Sequence, residues 1–238
     1  MLAAENLRVR YPNGALGVTD VSLSVRRGQI VAMFGSNGSG KTTTVRACSG
    51  FLRTEGARII GGSVRIDGED VANLEPHDIV RRGVAFVPER RKIFPNMSVS
   101  ENLFALGTLP RRERRRQLIE EILDLFPALA LRMKDLAGRL SGGQQQMLAI
   151  SRAIMSEPSL LIIDEMTLGL HVSLHAPLFE AVKKIAGGGK AVLIVAENTA
   201  FALDVVDYCF LLSSGVLQDE GAAERFRHGD LLATGYVG

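Results

Sequence analysis

The sequence predicts an α/β fold with a mostly parallel core sheet, antiparallel strands in its N-terminal part and an inserted helical lobe. Three observations lead there. An aliphatic run, IVAMF, enters a glycine-rich loop that opens a helix. Residues 99–155 place apolar side chains at helical spacing. Beyond Pro158, short buried runs alternate with amphipathic ones, the pattern of strands joined by crossover helices.

Taken in order, ENLRVRY, VSLSV and QIVAMF read as strands, broken by turns at Asn13-Gly14 and Arg27-Gly28, and SVRIDGEDV adds another strand and turn. From about Val99 to Met155 the spacing predicts helices, with Leu118, Ile122, Leu125 and Phe126 on one face. The charge run RRERRR at 111–116 reads as a solvated helix face. After Pro158 come the strand LLIID and the helix LHAPLFEAVKKIA. That helix is closed by Gly187, Gly188 and Gly189, with Lys183 and Lys184 in the last turn, where the helix dipole favours cations. The strand AVLIVA, a helix TAFALDVV, a strand YCFLLSS and a short mixed tail complete the chain. Residues 1–238 are therefore read as one domain, with 1–90 and 156–238 as its core and 91–155 as the helical lobe.

The 238 residues are 46% hydrophobic, ample for burying a core. With 28 Lys and Arg against 26 Asp and Glu, the net charge of +2 makes no electrostatic case for nucleic acid. The longest apolar runs fall well below the roughly 20 residues that span a bilayer, and MLAAENLRVRYP has no secretory pattern. The expected location is the cytoplasm. Cys48 and Cys209 lack metal-ligand spacing and read as small buried thiols.

Chemistry concentrates first at Gly35-Ser36-Asn37-Gly38-Ser39-Gly40-Lys41-Thr42-Thr43, where a strand meets GxxxxGK[ST] and a helix follows. Glycines let backbone N–H groups turn inward around an anion, and the new helix aims its free donors at the same point. Lys41 supplies a point charge for β- and γ-phosphates, and the Thr42 hydroxyl suits Mg²⁺. A plain glycine turn would explain neither Gly40-Lys41-Thr42 nor the strand before it. A nucleoside triphosphate site also needs an acid for the metal and a group to align water, both at the carboxyl ends of parallel strands. LLIIDE provides Asp164 for Mg²⁺ and Glu165 to orient or deprotonate the attacking water. The plainer reading, a strand end reaching solvent, loses ground beside a phosphate loop.

Between these motifs stands Leu140-Ser141-Gly142-Gly143-Gln144, followed by QQMLAISRAIM. Ser141 reads as a helix cap whose exposed N–H groups and glycines can receive a phosphate. In this order the three motifs resemble ABC ATPases, the nucleotide-binding subunits of ABC transporters, over nearly the whole chain. The resemblance identifies the fold as a P-loop NTPase with ATP and Mg²⁺ as its cofactors. It implies that Ser141, Gly142, Gly143 and Gln144 engage ATP held by a second ATPase subunit, identical or similar, and that permease subunits and, through them, a solute-binding protein are partners. The location then becomes the inner face of the membrane. Tyr11 matches the aromatic that stacks on adenine, with an ordinary strand aromatic as the alternative. Glu89, in FVPERRKIFPNMSVSENL, stands where the family has a hinge-loop glutamine and remains a suitable Mg²⁺ ligand. The hinge, LSGGQQQMLAI and LGL together look like the second ATPase of branched-chain amino-acid and urea importers. The expected function is ATP hydrolysis that energises such an importer; the alternative is a nucleotide-gated subunit that hydrolyses weakly.

Met166 replaces the usual proline after the acid pair, and His171 a small residue. Glu197 departs furthest: it occupies the strand-end position where the family has a histidine, or in this subfamily a glutamine, contacting the γ-phosphate. Those side chains donate a hydrogen bond, whereas an ionised glutamate only accepts. At about 4 Å from another negative charge it is repelled by ~4 kcal/mol at an effective dielectric near 20. Glu197 is thus expected to be protonated beside ATP or turned away, with turnover weakened.

Overall fold

A computed structural model describes residues 1–90, 92–106, 110–196 and 200–227. It opens with β1 (Leu2–Arg10), β2 (Leu16–Val25) and β3 (Ile30–Phe34), then α1 (Lys41–Ser49) and a short 3₁₀ turn. β4 (Arg58–Ile66), β5 (Glu69–Asp70), α2 (Pro76–Arg81) and β6 (Val84–Val87) follow. Next come α3 (Val99–Phe104), α4 (Arg112–Leu125) and α5 (Gly142–Ile154), then β7 (Leu160–Ile163), α6 (His175–Gly187) and β8 (Ala191–Val195). α7 (Ala200–Leu203), β9 (Tyr208–Ser213), β10 (Val216–Ala222) and α8 (Ala223–Arg227) end the described chain.

The strands lie in the order β5-β4-β1-β2-β10-β9-β3-β8-β7-β6. β9, β3, β8, β7 and β6 run parallel, as crossover helices require, while β2, β1, β4 and β5 pair antiparallel. β10 joins the halves, antiparallel to β9 and touching β2 through Val216 and Asp20. Every residue of β3, β7 and β8 is buried because both faces of the parallel sheet are covered. Alternate residues serve opposite cores. Ala32, Phe34, Leu161, Ile163, Val192 and Ile194 pack under α5, α6 and the helices between β6 and β7. Val31, Met33, Leu160, Ile162, Leu193 and Val195 pack under α1 and the antiparallel strands.

In α4, Leu118 and Ile122 are fully buried and Phe126 follows them inward, while Leu125 is partly buried. The sequence reading missed β6, α2, β10 and α8, and it started β2 and β4 several residues late. Among the described residues no helix is long and apolar enough to cross a membrane.

Candidate functional site

The parallel strands bring three loops together at their carboxyl ends. After β3 the chain turns through Gly35 at φ +153°, where an added Cβ would lie 2.3 Å from the Leu212 carbonyl and 2.4 Å from Ser39 Oγ. Only glycine fits so close a backbone approach. Gly40, at φ +101°, ends the loop and caps α1 through its backbone, so the first N–H groups of the helix face inward without a side-chain cap. Lys41 is 5% exposed and folds back into the loop, its Nζ donating to the carbonyls of Gly35 (2.8 Å) and Ser36 (3.0 Å).

β7 delivers the acids. Asp164 is 1% exposed, and its backbone N–H donates to the Val87 carbonyl of β6. Glu165 donates instead to the Val195 carbonyl of β8, so the acid pair is tied to both neighbouring strands. Glu165 sits at φ +52°, a left-handed conformation that costs a non-glycine residue roughly 1–2 kcal/mol. That turn aims its carboxylate at Lys41, with Oε1 3.9 Å from Nζ. Thr42 Oγ1 donates a long 3.4 Å hydrogen bond to Asp164 Oδ1. Burial pushes the Asp164 carboxyl up to about 6; Glu89 adds to the rise, and Arg46, Thr42 and Lys41 oppose it.

Asn37, Gly38, Ser39, Gly40, Lys41, Thr42 and Thr43 line a cavity of about 640 Å³ together with Glu89 and Glu165. Glu89 is held by Arg90 Nε at 3.0 Å. The lining also includes Gly17, Leu168 and the Ser214-Gly215 turn, which sequence reasoning missed. The serine-glycine pair is a turn signal, but nothing in its spacing links it to a loop so distant in sequence.

The cavity suits a nucleotide phosphate with a hard divalent cation. Ser39 Oγ is buried without a hydrogen-bond partner among the described residues, the Thr42 hydroxyl meets the Asp164 carboxylate, and the Lys41 ammonium faces Glu165. Among the described residues no group of three or more His, Cys, Asp or Glu side chains forms a cage of its own. Mg²⁺ is held by one or two protein ligands plus phosphate oxygens and water, and the adjoining Thr42 hydroxyl and Asp164 carboxylate are two hard oxygen donors of that kind.

Other residues singled out from sequence do not line this cavity. Tyr11 hydrogen-bonds through its hydroxyl to Thr43 Oγ1 at 2.9 Å and packs on Gly17, but it borders a second cavity of about 390 Å³ with Arg58 and Ile60. Ser141 caps α5 in a reciprocal box, accepting from Gln144 N (3.3 Å) while Gln144 Oε1 accepts from Ser141 N (3.1 Å). Ser141 and Gly142 are exposed, and Gly143 packs against Leu174. None of Ser141, Gly142, Gly143 and Gln144 lines the phosphate cavity. Met166 is fully buried in the core, and His171 is exposed and starts a 3₁₀ turn. Glu197 and Asn198 lie outside the described residues.

Comparison with known proteins agrees with this geometry. Residues 18–168 match the ABC transporter family. The chain is 38% identical over 206 residues to the high-affinity branched-chain amino acid transport ATP-binding protein BraG of Pseudomonas aeruginosa, covering 86% of each chain. It is 30% identical over 241 residues to the lipopolysaccharide export system ATP-binding protein LptB of Haemophilus influenzae, covering 100% of this chain and 97% of that one. A nucleotide-free ATP-binding cassette from an ABC transporter superposes with a TM-score of 0.85 at 25% identity, covering 100% and 99% of the two chains. By fold, motif order and sequence, the chain belongs to the ABC transporter family, as an ATP-binding subunit similar to those for branched-chain amino acids.

Proposed function

We propose that this chain binds ATP with Mg²⁺ and hydrolyses it to drive uptake of a small solute, of the branched-chain or hydrophobic amino-acid class, through membrane-spanning permease partners. The observation that carries the reading is the meeting of Lys41 and Glu165, both nearly buried, in the cavity that the phosphate loop lines. In this reading the N–H groups of Gly35, Ser36, Asn37, Gly38, Ser39 and Gly40 cradle the phosphates, with Thr43 beside them. Lys41 exchanges its two carbonyl partners for phosphate oxygens. Glu165, released from Lys41, orients the attacking water and takes its proton. Thr42 and Asp164 would hold Mg²⁺, with Glu89 on the cavity wall, and the metal, when bound, offsets charge on the phosphate oxygens. Tyr11 turns its ring to adenine.

Ser141, Gly142, Gly143 and Gln144 serve the nucleotide of a second subunit, homologous or identical, in a two-fold assembly. The helical lobe at 91–155 faces the permease, which places the chain on the inner face of the membrane, and a solute-binding protein delivers the cargo. The Pseudomonas aeruginosa relative, named for branched-chain amino acid transport, supports the solute class. Export is the second reading, favoured by a lipopolysaccharide export relative that matches this chain along its full length.

The test is reconstitution with candidate permease subunits in vesicles, measuring ATP turnover and the direction of labelled leucine movement. Expected are inward accumulation and turnover that falls about a hundredfold or more in Glu165→Gln while ATP still binds. Equal turnover in the two would instead mark a nucleotide-gated subunit without hydrolysis. Efflux of a lipidic cargo would replace the importer.

A further inference from the structure

A further cavity, of about 410 Å³, opens between α4, the end of α5 and the end of α6, and it shares no residue with the phosphate cavity. Each helix gives one residue to its apolar wall: Leu125, partly buried, and Ile154 and Ile185, both buried. A concave apolar wall with a few charged groups around it is the usual build of a small-molecule site.

The charged groups fall into two sets. Arg114 and Glu121 pair at 2.7 Å, and Arg114 reaches on to Glu157 at 2.6 Å. These three answer one another. Asp124, Lys184 and Lys190 also line the cavity, and among the described residues none of their side chains enters an ion pair or a hydrogen bond.

Lys190 stands just before β8 and is half-buried. Burial lowers its pKa, while Glu121 and Glu157 pull it back up and Arg114 opposes them. Its ammonium is thus held partly out of water without a bonded partner, a state in which a charged group gains from an incoming anion. Asp124, on the α4 side, offers the converse to an incoming cation.

The lining excludes simpler ligands. An inorganic anion would be repelled by Asp124 and Glu121, and a metal ion by Lys184, Lys190 and Arg114. A purely apolar molecule would cover the wall and leave charges of both signs unanswered. One molecule with a carboxylate, an ammonium and an aliphatic side chain answers all of them.

We infer that this cavity binds a free α-amino acid with an apolar side chain, its carboxylate on Lys190 and Lys184, its ammonium on Asp124, and its side chain on Leu125, Ile154 and Ile185. The ligand class follows from the lining, independently of the transport reading, although it coincides with the solute class proposed above. A bound molecule would bridge α4 of the helical lobe to Lys184 and Lys190 of the core, through a cavity that holds no residue of the phosphate loop.

The experiment is titration calorimetry of the full chain without nucleotide, using leucine, isocaproate, which lacks the ammonium, and isoamylamine, which lacks the carboxylate. Leucine is expected to bind saturably and each truncated probe about tenfold or more weakly, since each loses a charge-assisted hydrogen bond. Lys190→Met and Asp124→Asn should each weaken leucine by a similar factor, with the affinity for ATP within about twofold of the parent. Leucine should also slow hydrogen exchange over residues 112–125 and 178–190 and leave 35–45 unchanged. Should Lys190→Met fail to fold, Lys184→Met, at an exposed position, is read in its place. No saturable binding of leucine up to about 10 mM overturns the inference. So does a truncated probe that binds as tightly as leucine, or leucine affinity unchanged in either variant. The chain is titrated alone, so cargo of another class or an export direction would leave the result standing, and loss of leucine binding would leave the nucleotide reading intact.

Discussion

Asp164 holds a costly position. Buried at the end of β7, it has a folded pKa of about 6 against 3.8 for the free group. The folded chain therefore binds that proton more tightly than the unfolded one. The resulting penalty is absent below the unfolded value and grows as pH rises through the folded value, reaching about 3 kcal/mol above it. Asp164→Asn removes the charge and keeps an acceptor for Thr42. Without divalent cation, urea unfolding is expected to show the variant about 2–3 kcal/mol more stable at pH 7.5 and no more stable at pH 4. An equal gain at both pH values would sink the argument.

Gly35 makes the converse case, in which position forbids any side chain. Gly35→Ala places a Cβ against the Leu212 carbonyl and is expected to abolish ATP binding, with a stability loss of roughly 2–4 kcal/mol by thermal melting. Binding within a few fold of the parent would show that the loop can open there. If Glu197 meets the phosphate, as the resemblance implies, Glu197→Gln and Glu197→His supply a donor there and a clear rise in turnover over the parent is expected; unchanged rates would mean that Glu197 never meets the phosphate. At this scale, residues with unusual chemistry at fixed spacing were legible. Gly17, Ser214 and Gly215 were not, because they enter the cavity through sheet topology and carry no chemistry of their own.

At the scale of elements, α4 runs against its own dipole. Arg111 is its N-cap without a side-chain capping hydrogen bond among the described residues, Arg112, Arg114 and Arg115 outnumber Glu113 in the first turns, and the last turn has no base. Cations at an N-terminus are unfavourable. Part of the cost is offset where Arg114 pairs with Glu121 at 2.7 Å and Glu157 at 2.6 Å, and burial of Leu118 and Ile122 supplies the rest. Arg111→Ser gives α4 the cap that Ser141 gives α5, and is expected to stabilise the fold by about 0.5–1 kcal/mol; a loss would show that the arginine makes a contact worth more than a cap. The same contrast explains which elements could be read. α4, α6 and the aliphatic strands announce themselves by period. β10, VLQDEGA, has no fully buried residue and exists because β9 pairs with it. α2 is little more than a turn opened by Pro76, and β6 is a four-residue run within a hinge read for its chemistry.

At the scale of the molecule, strand order could not be read, since β10 enters between β2 and β9 on pairing alone. The order of motifs along the chain was legible, and two of those motifs do not meet in the folded chain. The phosphate loop and Glu165 share a cavity, while the capped start of α5 stands exposed elsewhere. If two copies face each other head to tail, each cavity is completed by the other copy's α5. Lys41→Ala then ruins one half of a site and Ser141→Arg the other, so each variant alone should hydrolyse ATP at background rate. Mixed in equal amounts, half of the pairs are hybrid, and each hybrid holds one intact site built from Lys41 of one copy and Ser141 of the other. Activity should return to about a quarter of the unmutated level if the sites act independently. Recovery near zero, with hybrid pairs confirmed by differential tags, would mean that Ser141 completes no site on its neighbour. Full activity of Ser141→Arg alone would mean that the exposed cap serves only to start its helix.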